Sequence, residues 1–210
     1  MKILNDEVLI RFFDILLSFA GLLVLFPLFI VIALLISIDS RGGIFYFQIR
    51  VGKNGKDFRL IKFRTMAMGA EKHGGLTVGA RDSRITRIGF FLRTLKLDEL
   101  PQLINVLKGE MSLVGPRPEI RKYVDCYTPE QRIILTVRPG ITDHASIEFI
   151  SENEILGRSS DPEKTYIEEV MPAKIQLNMR YIENQGLGAY VQILFLTFAS
   201  LFRPRKKRDT

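Results

Sequence analysis

The 210-residue chain is long enough for one domain with a hydrophobic core, and its composition, 47% hydrophobic and 25% charged, excludes a disordered, collagen-like or coiled-coil protein. Its single cysteine, Cys126, excludes an intrachain disulfide framework. The net charge is +7, but residues 203–210 hold five of the 30 basic residues and one of the 23 acidic ones. This basic tail does not indicate a broad nucleic-acid-binding surface.

An uncharged apolar segment, residues 15–38, lies near the N-terminus. As a straight helix it would be about 36 Å long, enough to cross a hydrocarbon core of about 30 Å. Pro27 lies at its centre and predicts a kink or break, because proline removes a helical hydrogen bond. Composition alone leaves two topologies open, a kinked single span and a re-entrant helix–break–helix. The basic excess in residues 39–66 predicts that this flank is cytoplasmic.

A β-hairpin is predicted next. Residues 44–51 and 57–66 are rich in β-branched and aromatic residues, and Asn54-Gly55 between them is a strong turn signal. The Gly-rich, polar residues 67–86 predict a mobile loop. Short helices are then predicted at 87–96, 99–108, 119–127, 129–137 and 162–184. The soluble part is therefore predicted to be a compact α+β domain.

The uncharged segment 187–202 is short for a membrane span. We predict an amphipathic helix that lies in the membrane interface, because the basic tail that follows would be attracted to anionic lipid. A buried core helix with a solvated tail is the alternative.

The densest group of chemically functional residues lies at 97–119, LDELPQLINVLKGEMSLVGPRPE. Its leucine spacing predicts a helix that Gly109 ends, with Asp98 and Glu99 at the N-terminus. Helix capping alone would explain such a pair. The chain also supplies four cations, namely Lys62, Arg64, Arg93 and, on a rigid Gly-Pro-Arg-Pro turn, Arg117. Adjacent carboxylates among cations could bind Mg²⁺ or supply a nucleophile toward phosphorus, so this group indicates phosphoryl transfer.

The sequence resembles the bacterial sugar transferases, also called small monotopic phosphoglycosyl transferases. The matching stretches are RFFD (11–14), the apolar segment with Pro27, FQIRVGKNGKDFRLIKFRTM (47–66), LRTLKLDELPQLINVLKGEMSLVGPRPE (92–119) and VRPGIT (137–142). The resemblance covers residues 8–142 and becomes loose beyond them.

The resemblance implies a mechanism. In this family the Asp of the dyad attacks the β-phosphate of a UDP-sugar, UMP leaves, and polyprenyl (undecaprenyl) phosphate then takes the sugar phosphate from the carboxylate. Asp98 is accordingly the expected nucleophile, and Glu99, with Asp98, the expected Mg²⁺ ligand. The residues expected to bind substrate phosphates are Lys62, Arg64, Arg93 and Arg117. The resemblance also favours the re-entrant topology, with Pro27 as the membrane break.

The expected organisation is a membrane-embedded re-entrant helix at 1–40, a cytoplasmic catalytic domain at 41–185, and an interfacial helix with a basic tail at 186–210. The expected location is the cytoplasmic face of the bacterial inner membrane, and the expected role is the first step of a glycoconjugate pathway. The expected partners are a UDP-sugar, polyprenyl phosphate and membrane lipid, without nucleic acid; a homodimer is compatible with the sequence. Two alternatives stay open, a membrane-anchored adaptor without catalysis and a glycosyl transferase that releases UDP.

Two departures from the family pattern stand out. Phe26 occupies the position before the membrane proline, where the family often has Ser. Residues 143–150, DHASIEFI, replace the common GWAQVNGR, so Ile150 stands where an Arg would be. We therefore expect a different donor pocket and the same reaction class.

Overall fold

A computed structural model describes residues 2–70, 82–149 and 152–201. The basic tail, most of the predicted mobile loop and Ile150 lie outside the described residues. The described part combines helices with two small sheets, so the predicted α+β class is confirmed.

Helix α1 (Lys2–Asp39) is a continuous run of 38 residues. Its segment Asp6–Asp39 is long and apolar enough to cross a membrane, and most of its surface is exposed. Pro27 lies inside this helix, so the predicted division into two helices is not seen in the secondary structure. Proline removes one backbone hydrogen bond, and the bonds on either side can carry the helix past it. The re-entrant topology stays a prediction.

The N-terminal half of α1 is attached to the rest of the protein by polar contacts. Arg11 donates to the carbonyls of Val106 (2.6 Å) and Leu107 (2.9 Å). The Asp14 carboxylate, 1% exposed, accepts from the Leu113 amide (2.9 Å) and from two hydroxyls. The first and last residues of the RFFD motif therefore hold α1 against the segments that it contacts.

The C-terminal half of α1 is attached by packing. Ile32 and Ile36 are buried against Phe63 and Leu92. Asp39 accepts a hydrogen bond from the Ile88 amide at 3.0 Å. The helix therefore contacts the same body of protein near both ends.

Strands β1 (Phe45–Val51) and β2 (Asp57–Phe63) form the predicted antiparallel hairpin, with Phe45 opposite Phe63. Asn54 and Gly55 in the turn have φ of 58° and 72°. Asparagine and glycine tolerate this left-handed region best, which is why the Asn-Gly signal was reliable.

Helix α2 (Arg87–Thr94) agrees with its prediction. Helix α3 (Gln102–Lys108) begins later than predicted, because residues Leu97–Glu99 form a separate 3₁₀ turn. Gly109, with φ of 82°, ends α3 as predicted.

Strands β3 (Ser112–Val114) and β4 (Gly140–Thr142) pair in parallel and were not predicted. Three residues are too few to show an alternating pattern. Gly115 and Gly140 pack backbone against backbone here, and a Cβ on either would overlap the other chain segment.

The remaining elements follow in chain order: α4 (Arg121–Val124), a 3₁₀ helix (Gln131–Thr136), α5 (His144–Glu148), α6 (Glu152–Gly157), α7 (Pro162–Thr165), a π-helix (Tyr166–Val170), α8 (Met171–Glu183) and α9 (Leu187–Leu201). The helix predicted at 119–127 is thus a single turn, and the one at 129–137 is 3₁₀. The helix predicted at 162–184 is an α–π–α series.

Helix α9 buries one side and exposes another. Tyr190 and Ile193 pack with Ile10 of α1, whereas Phe195 and Phe198 are exposed. The predicted segments 1–40, 41–185 and 186–210 therefore share a core cluster. The exposed aromatic residues are compatible with the predicted interfacial position, which stays a prediction.

Candidate active site

The acidic dyad lies where β2, α2, the 3₁₀ turn and the Gly-Pro-Arg-Pro turn converge. Lys96, just before the dyad, adopts a left-handed conformation with φ of 58°, which is uncommon for a residue other than glycine, asparagine or aspartate. This bend separates α2 from the 3₁₀ turn and lets side chains from both elements line the same site. Backbone strain of this kind is concentrated at functional sites.

Glu99 is held by two cations. One carboxylate oxygen, Oε1, accepts from Lys62 Nζ at 3.0 Å and from Arg117 Nη2 at 2.5 Å, and Oε2 accepts from Arg117 Nη1 at 3.1 Å. Burial by itself would raise the pKa of Glu99, but the charges of Arg117 and Lys62 and the hydrogen bonds from Arg117 hold it well below its usual range. Glu99 is therefore a fixed anion.

Asp98 differs from its neighbour. It is 7% exposed, and no side chain or amide among the described residues donates a hydrogen bond to its carboxylate. Burial raises its pKa; the charges of Lys62 and Arg93 oppose this, and the charge of Glu99 adds to it. A carboxylate with unblocked oxygens next to cations has the properties of a nucleophile.

Arg93 reaches the site from α2. This helix packs closely on the end of β2, because Gly89 lies against the Thr65 backbone where a Cβ would overlap it. The charge of Arg93 acts on both Asp98 and Asp82. The sequence-predicted residues Lys62, Arg93, Asp98, Glu99 and Arg117 are thus brought together.

Arg64 lines the large cavity that is described below, but its guanidinium is held by the backbone. Its guanidinium donates to three backbone carbonyls, those of Ser40 (2.8 Å), Arg41 (2.7 Å) and Gly43 (2.5 Å). These carbonyls follow the last turn of α1. Arg64 therefore fixes the exit of α1 onto the hairpin, and its binding of a substrate phosphate stays a prediction.

Arg117 is positioned by a contact with residues 143–150, the segment that departs from the family pattern. Asp143 is fully buried and accepts from the Arg117 amide (3.2 Å) and from the Ser146 amide (2.5 Å). Asp143 therefore joins the Gly-Pro-Arg-Pro turn to the start of α5. Glu99 in turn raises the pKa of Arg117, so the guanidinium stays charged.

A large cavity of about 540 Å³ passes Asp98. One end lies near the exit of α1 and is lined by Phe45, Phe47 and Met68, which are exposed. The other end is lined by buried tyrosines, Tyr123 and Tyr166. The cavity thus joins an apolar mouth to an aromatic interior.

A smaller cavity of about 170 Å³ meets the large one at the dyad. The residues that line both are Lys62, Arg93, Asp98, Arg117, Glu152, Asn153 and Lys174. Glu99 lines only the smaller of the two. Asp98 therefore lies at the junction of two spaces.

This arrangement agrees with the sequence comparisons. The family model described as bacterial sugar transferase matches residues 5–204. The chain belongs to the bacterial sugar transferase family.

Three relatives of this chain carry informative names. An exopolysaccharide production protein of Rhizobium leguminosarum bv. phaseoli is 38% identical over 202 residues, 93% of this chain and 96% of the relative. The UDP-N-acetylgalactosamine-undecaprenyl-phosphate N-acetylgalactosaminephosphotransferase of Aeromonas hydrophila is 39% identical over 194 residues. The UDP-glucose:undecaprenyl-phosphate glucose-1-phosphate transferase of Klebsiella pneumoniae is 34% identical over 194 residues.

The matched lengths differ between these relatives. The alignments cover 91% and 89% of this chain for the Aeromonas and Klebsiella proteins, respectively, but only 43% and 38% of those relatives. The chain therefore spans less than half the length of these two sugar transferases and nearly all of the Rhizobium protein.

The chain also has a second charged cluster, which the sequence analysis missed. Glu119 accepts from the Tyr166 hydroxyl and from Arg50 (3.5 Å), and it lies 3.7 Å from Lys174. Lys174 also donates to Glu152 at 2.9 Å. Glu119 belongs to the recognised motif, but no local signal connects it to Lys174 on α8.

Proposed function

We propose that this protein transfers a sugar 1-phosphate from a UDP-sugar to polyprenyl phosphate at the cytoplasmic face of the bacterial inner membrane. The observation that carries the proposal is the position of Asp98 at the junction of two cavities and beside Lys62, Arg93 and Arg117, with a carboxylate that accepts no hydrogen bond from the described residues. The names of the Aeromonas and Klebsiella relatives support the donor and the acceptor.

In the first step an Asp98 carboxylate oxygen attacks the β-phosphorus of the donor. The bond from this phosphorus to the bridging oxygen breaks, and UMP leaves with the electron pair. The sugar phosphate stays on Asp98 as an acyl phosphate. In the second step an oxygen of the acceptor phosphate attacks the same phosphorus and the Asp98 carboxylate leaves, so a polyprenyl-diphosphate-sugar forms and the enzyme is regenerated.

The surrounding charges suit both steps. Lys62, Arg93 and Arg117 offer positive charge to a diphosphate, which gains negative charge on its leaving oxygen as the bond breaks. Glu99 keeps Lys62 and Arg117 in place by direct contacts. Asp98 needs its ionised form to attack, and the charges of Lys62 and Arg93 favour that form against the effect of burial.

The dyad also suits a Mg²⁺ ion. The described residues contain no group of three or more acidic, histidine or cysteine side chains that could hold a metal by themselves. Mg²⁺ is commonly bound by one or two carboxylates together with water and substrate phosphates, so Asp98 and Glu99 fit an ion shared with the donor diphosphate. When bound, it would neutralise phosphate charge.

A re-entrant α1 is part of the proposal. Arg11 and Asp14 near one end, and Ile36 and Asp39 at the other, all contact the same body of protein. From Asp14 to Asp39 a straight helix extends about 38 Å, more than a hydrocarbon core of about 30 Å. A straight crossing would carry part of this body through the bilayer, so we place both ends of α1 on the cytoplasmic side.

The decisive experiment measures the released nucleotide. Purified protein receives Mg²⁺, polyprenyl phosphate and a panel of UDP-sugars that begins with UDP-N-acetylgalactosamine and UDP-glucose, and UMP and UDP are quantified separately. We expect UMP, with a loss of at least about 10³-fold in Asp98→Asn. The matched control is Asp125→Asn, because Asp125 is exposed and far from the dyad in the sequence.

The alternatives give other results. UDP as the product would mean that the sugar alone is transferred. Membrane attachment with neither nucleotide released from any donor would favour an adaptor. Chelation of divalent cations should stop UMP release and added Mg²⁺ should restore it; release that survives chelation would remove Mg²⁺ from the proposal.

A further inference from the structure

The smaller cavity contains side chains that the phosphate chemistry does not use. They come from α5 and the residue that follows it, from α6 and from α8, and they are Ser146, Phe149, Glu152, Asn153 and Lys174. The last three also line the large cavity. Several come from the region in which the resemblance to the family is loose. Their composition, with hydroxyl, amide, carboxylate, ammonium and aromatic groups, is that of a site for a polar, uncharged ring.

We propose that the smaller cavity binds the sugar ring of the donor and that Ser146, Glu152 and Asn153 select which sugar is accepted. This inference rests on the proposed function. It assigns the large cavity to UMP first and to the acceptor phosphate afterwards.

The first argument is the geometry of displacement at phosphorus. The attacking and leaving oxygens lie roughly in line, so UMP leaves on the side opposite Asp98. The acceptor phosphate must later attack from that same side, because Asp98 is then the leaving group. Of these two cavities, the large one reaches the apolar mouth beside the exit of α1, where a lipid acceptor would enter. The sugar, attached to the phosphorus through another oxygen, is directed away from that line and toward the smaller cavity.

The second argument is size. Sites for drug-sized ligands have volumes of about 300–1,000 Å³. The smaller cavity, about 170 Å³, is below this range and suits a single ring. The large cavity, about 540 Å³, is within it and has Tyr123 and Tyr166 for a nucleoside.

The third argument is an unsatisfied polar group. The Ser146 hydroxyl oxygen is buried and has no hydrogen-bond partner among the described residues. A hydroxyl buried in this way costs free energy unless a ligand supplies the missing partner. Sugar hydroxyls both donate and accept, so they match this hydroxyl, the Asn153 amide and the Glu152 carboxylate.

The experiment compares donors in two variants, Ser146→Ala and Asn153→Ala. For each we measure kcat/KM with UDP-N-acetylgalactosamine, UDP-N-acetylglucosamine, UDP-galactose and UDP-glucose, and the dissociation constant of UMP. We expect the ratio of kcat/KM between the best two donors to change about tenfold or more, because a site built to hydrogen-bond a substrate rejects analogues strongly. The UMP dissociation constant should stay unchanged in Ser146→Ala, because Ser146 lines only the smaller of the two cavities. Asn153 lines both cavities, so its variant is judged by the ratio of kcat/KM between donors.

The control is Asn184→Ala, which removes an exposed amide at the end of α8. Asn153 is itself exposed, so its variant remains informative if Ser146→Ala folds poorly. An equal loss of kcat/KM with every donor would overturn the inference. Weaker UMP binding with an unchanged order of donors would also overturn it. Wild-type UMP release that depends on Asp98 would leave the proposed function standing in either case; its absence would remove both.

Discussion

Asp98 and Glu99 are neighbours in the sequence but have opposite electrostatic environments. Glu99 is fixed as an anion by Arg117 and Lys62, whereas burial raises the pKa of Asp98, whose carboxylate accepts no hydrogen bond from the part of the chain that the structure describes. Sequence spacing could place both acids in one turn, but it could not distinguish their roles. That distinction depends on cations from β2 and from the Gly-Pro-Arg-Pro turn, which are distant in the chain.

The pH dependence of UMP formation tests this difference. Attack requires ionised Asp98, so the rate should fall as the pH falls through its raised pKa. Lys62 lowers that pKa and Glu99 raises it. In Lys62→Met the acid limb of the pH–rate profile should therefore move to higher pH by about one unit, and in Glu99→Gln it should move to lower pH.

The measurement is the single-turnover release of UMP without acceptor, since the acceptor phosphate would add its own titration. Lys62→Arg keeps the positive charge and serves as the control. Acid limbs that stay in place in both charge-removing variants would show that Asp98 does not control the reaction.

At the scale of secondary structure, local signals predicted the hairpin, α2 and the end of α3, because Asn-Gly, the apolar spacing and Gly109 act within a few residues. They did not predict β3 and β4. These strands exist because two distant segments meet closely at Gly115 and Gly140. Lys174 of the second cluster was missed for the same reason.

The contact between these glycines controls the position of Arg117. In Gly140→Ala the new methyl group would overlap the Gly115 backbone, so the segments must separate. We expect the free energy of unfolding to fall by about 3 kcal/mol and Tm to fall by several degrees, together with lost UMP release. Gly188→Ala is the control, because Gly188 is exposed in α9 and has open space. It should be neutral or stabilising by up to about 1 kcal/mol. Thermal unfolding in detergent measures the stability of both variants. Equal effects of the two substitutions on stability would contradict this account of the contact between Gly115 and Gly140.

At the scale of the whole molecule, α1 connects membrane and site. The sequence identified an apolar segment with Pro27 but left its topology open, because hydropathy does not state which protein surface a helix contacts. The structure attaches both ends of α1 to one body and uses Arg64 to direct the chain into the hairpin. The apolar mouth of the large cavity consequently lies beside the helix exit.

Site-specific labelling tests the proposed topology. In a Cys126→Ser background, single cysteines are introduced at positions 2 and 41, and a membrane-impermeant maleimide is applied to spheroplasts and to inverted vesicles. We expect both positions to react only in inverted vesicles, as native Cys126, which is exposed, should in the parent protein. Labelling of position 2 in spheroplasts, with position 41 protected, would establish a single span instead.

Sequential use of the large cavity makes a kinetic prediction for the complete enzyme. UMP and the acceptor phosphate occupy the same space opposite Asp98, so they cannot bind together, whereas two separate sites would let both bind at once. UMP also binds the free enzyme in competition with the donor, so the donor is kept at a saturating concentration. UMP should then inhibit competitively against polyprenyl phosphate. Initial rates measured over a grid of UMP and acceptor concentrations in detergent test this expectation. Inhibition that saturating acceptor fails to relieve at saturating donor would mean that each has a site of its own, and the acceptor would then have to reach the phosphorus by a path other than the large cavity.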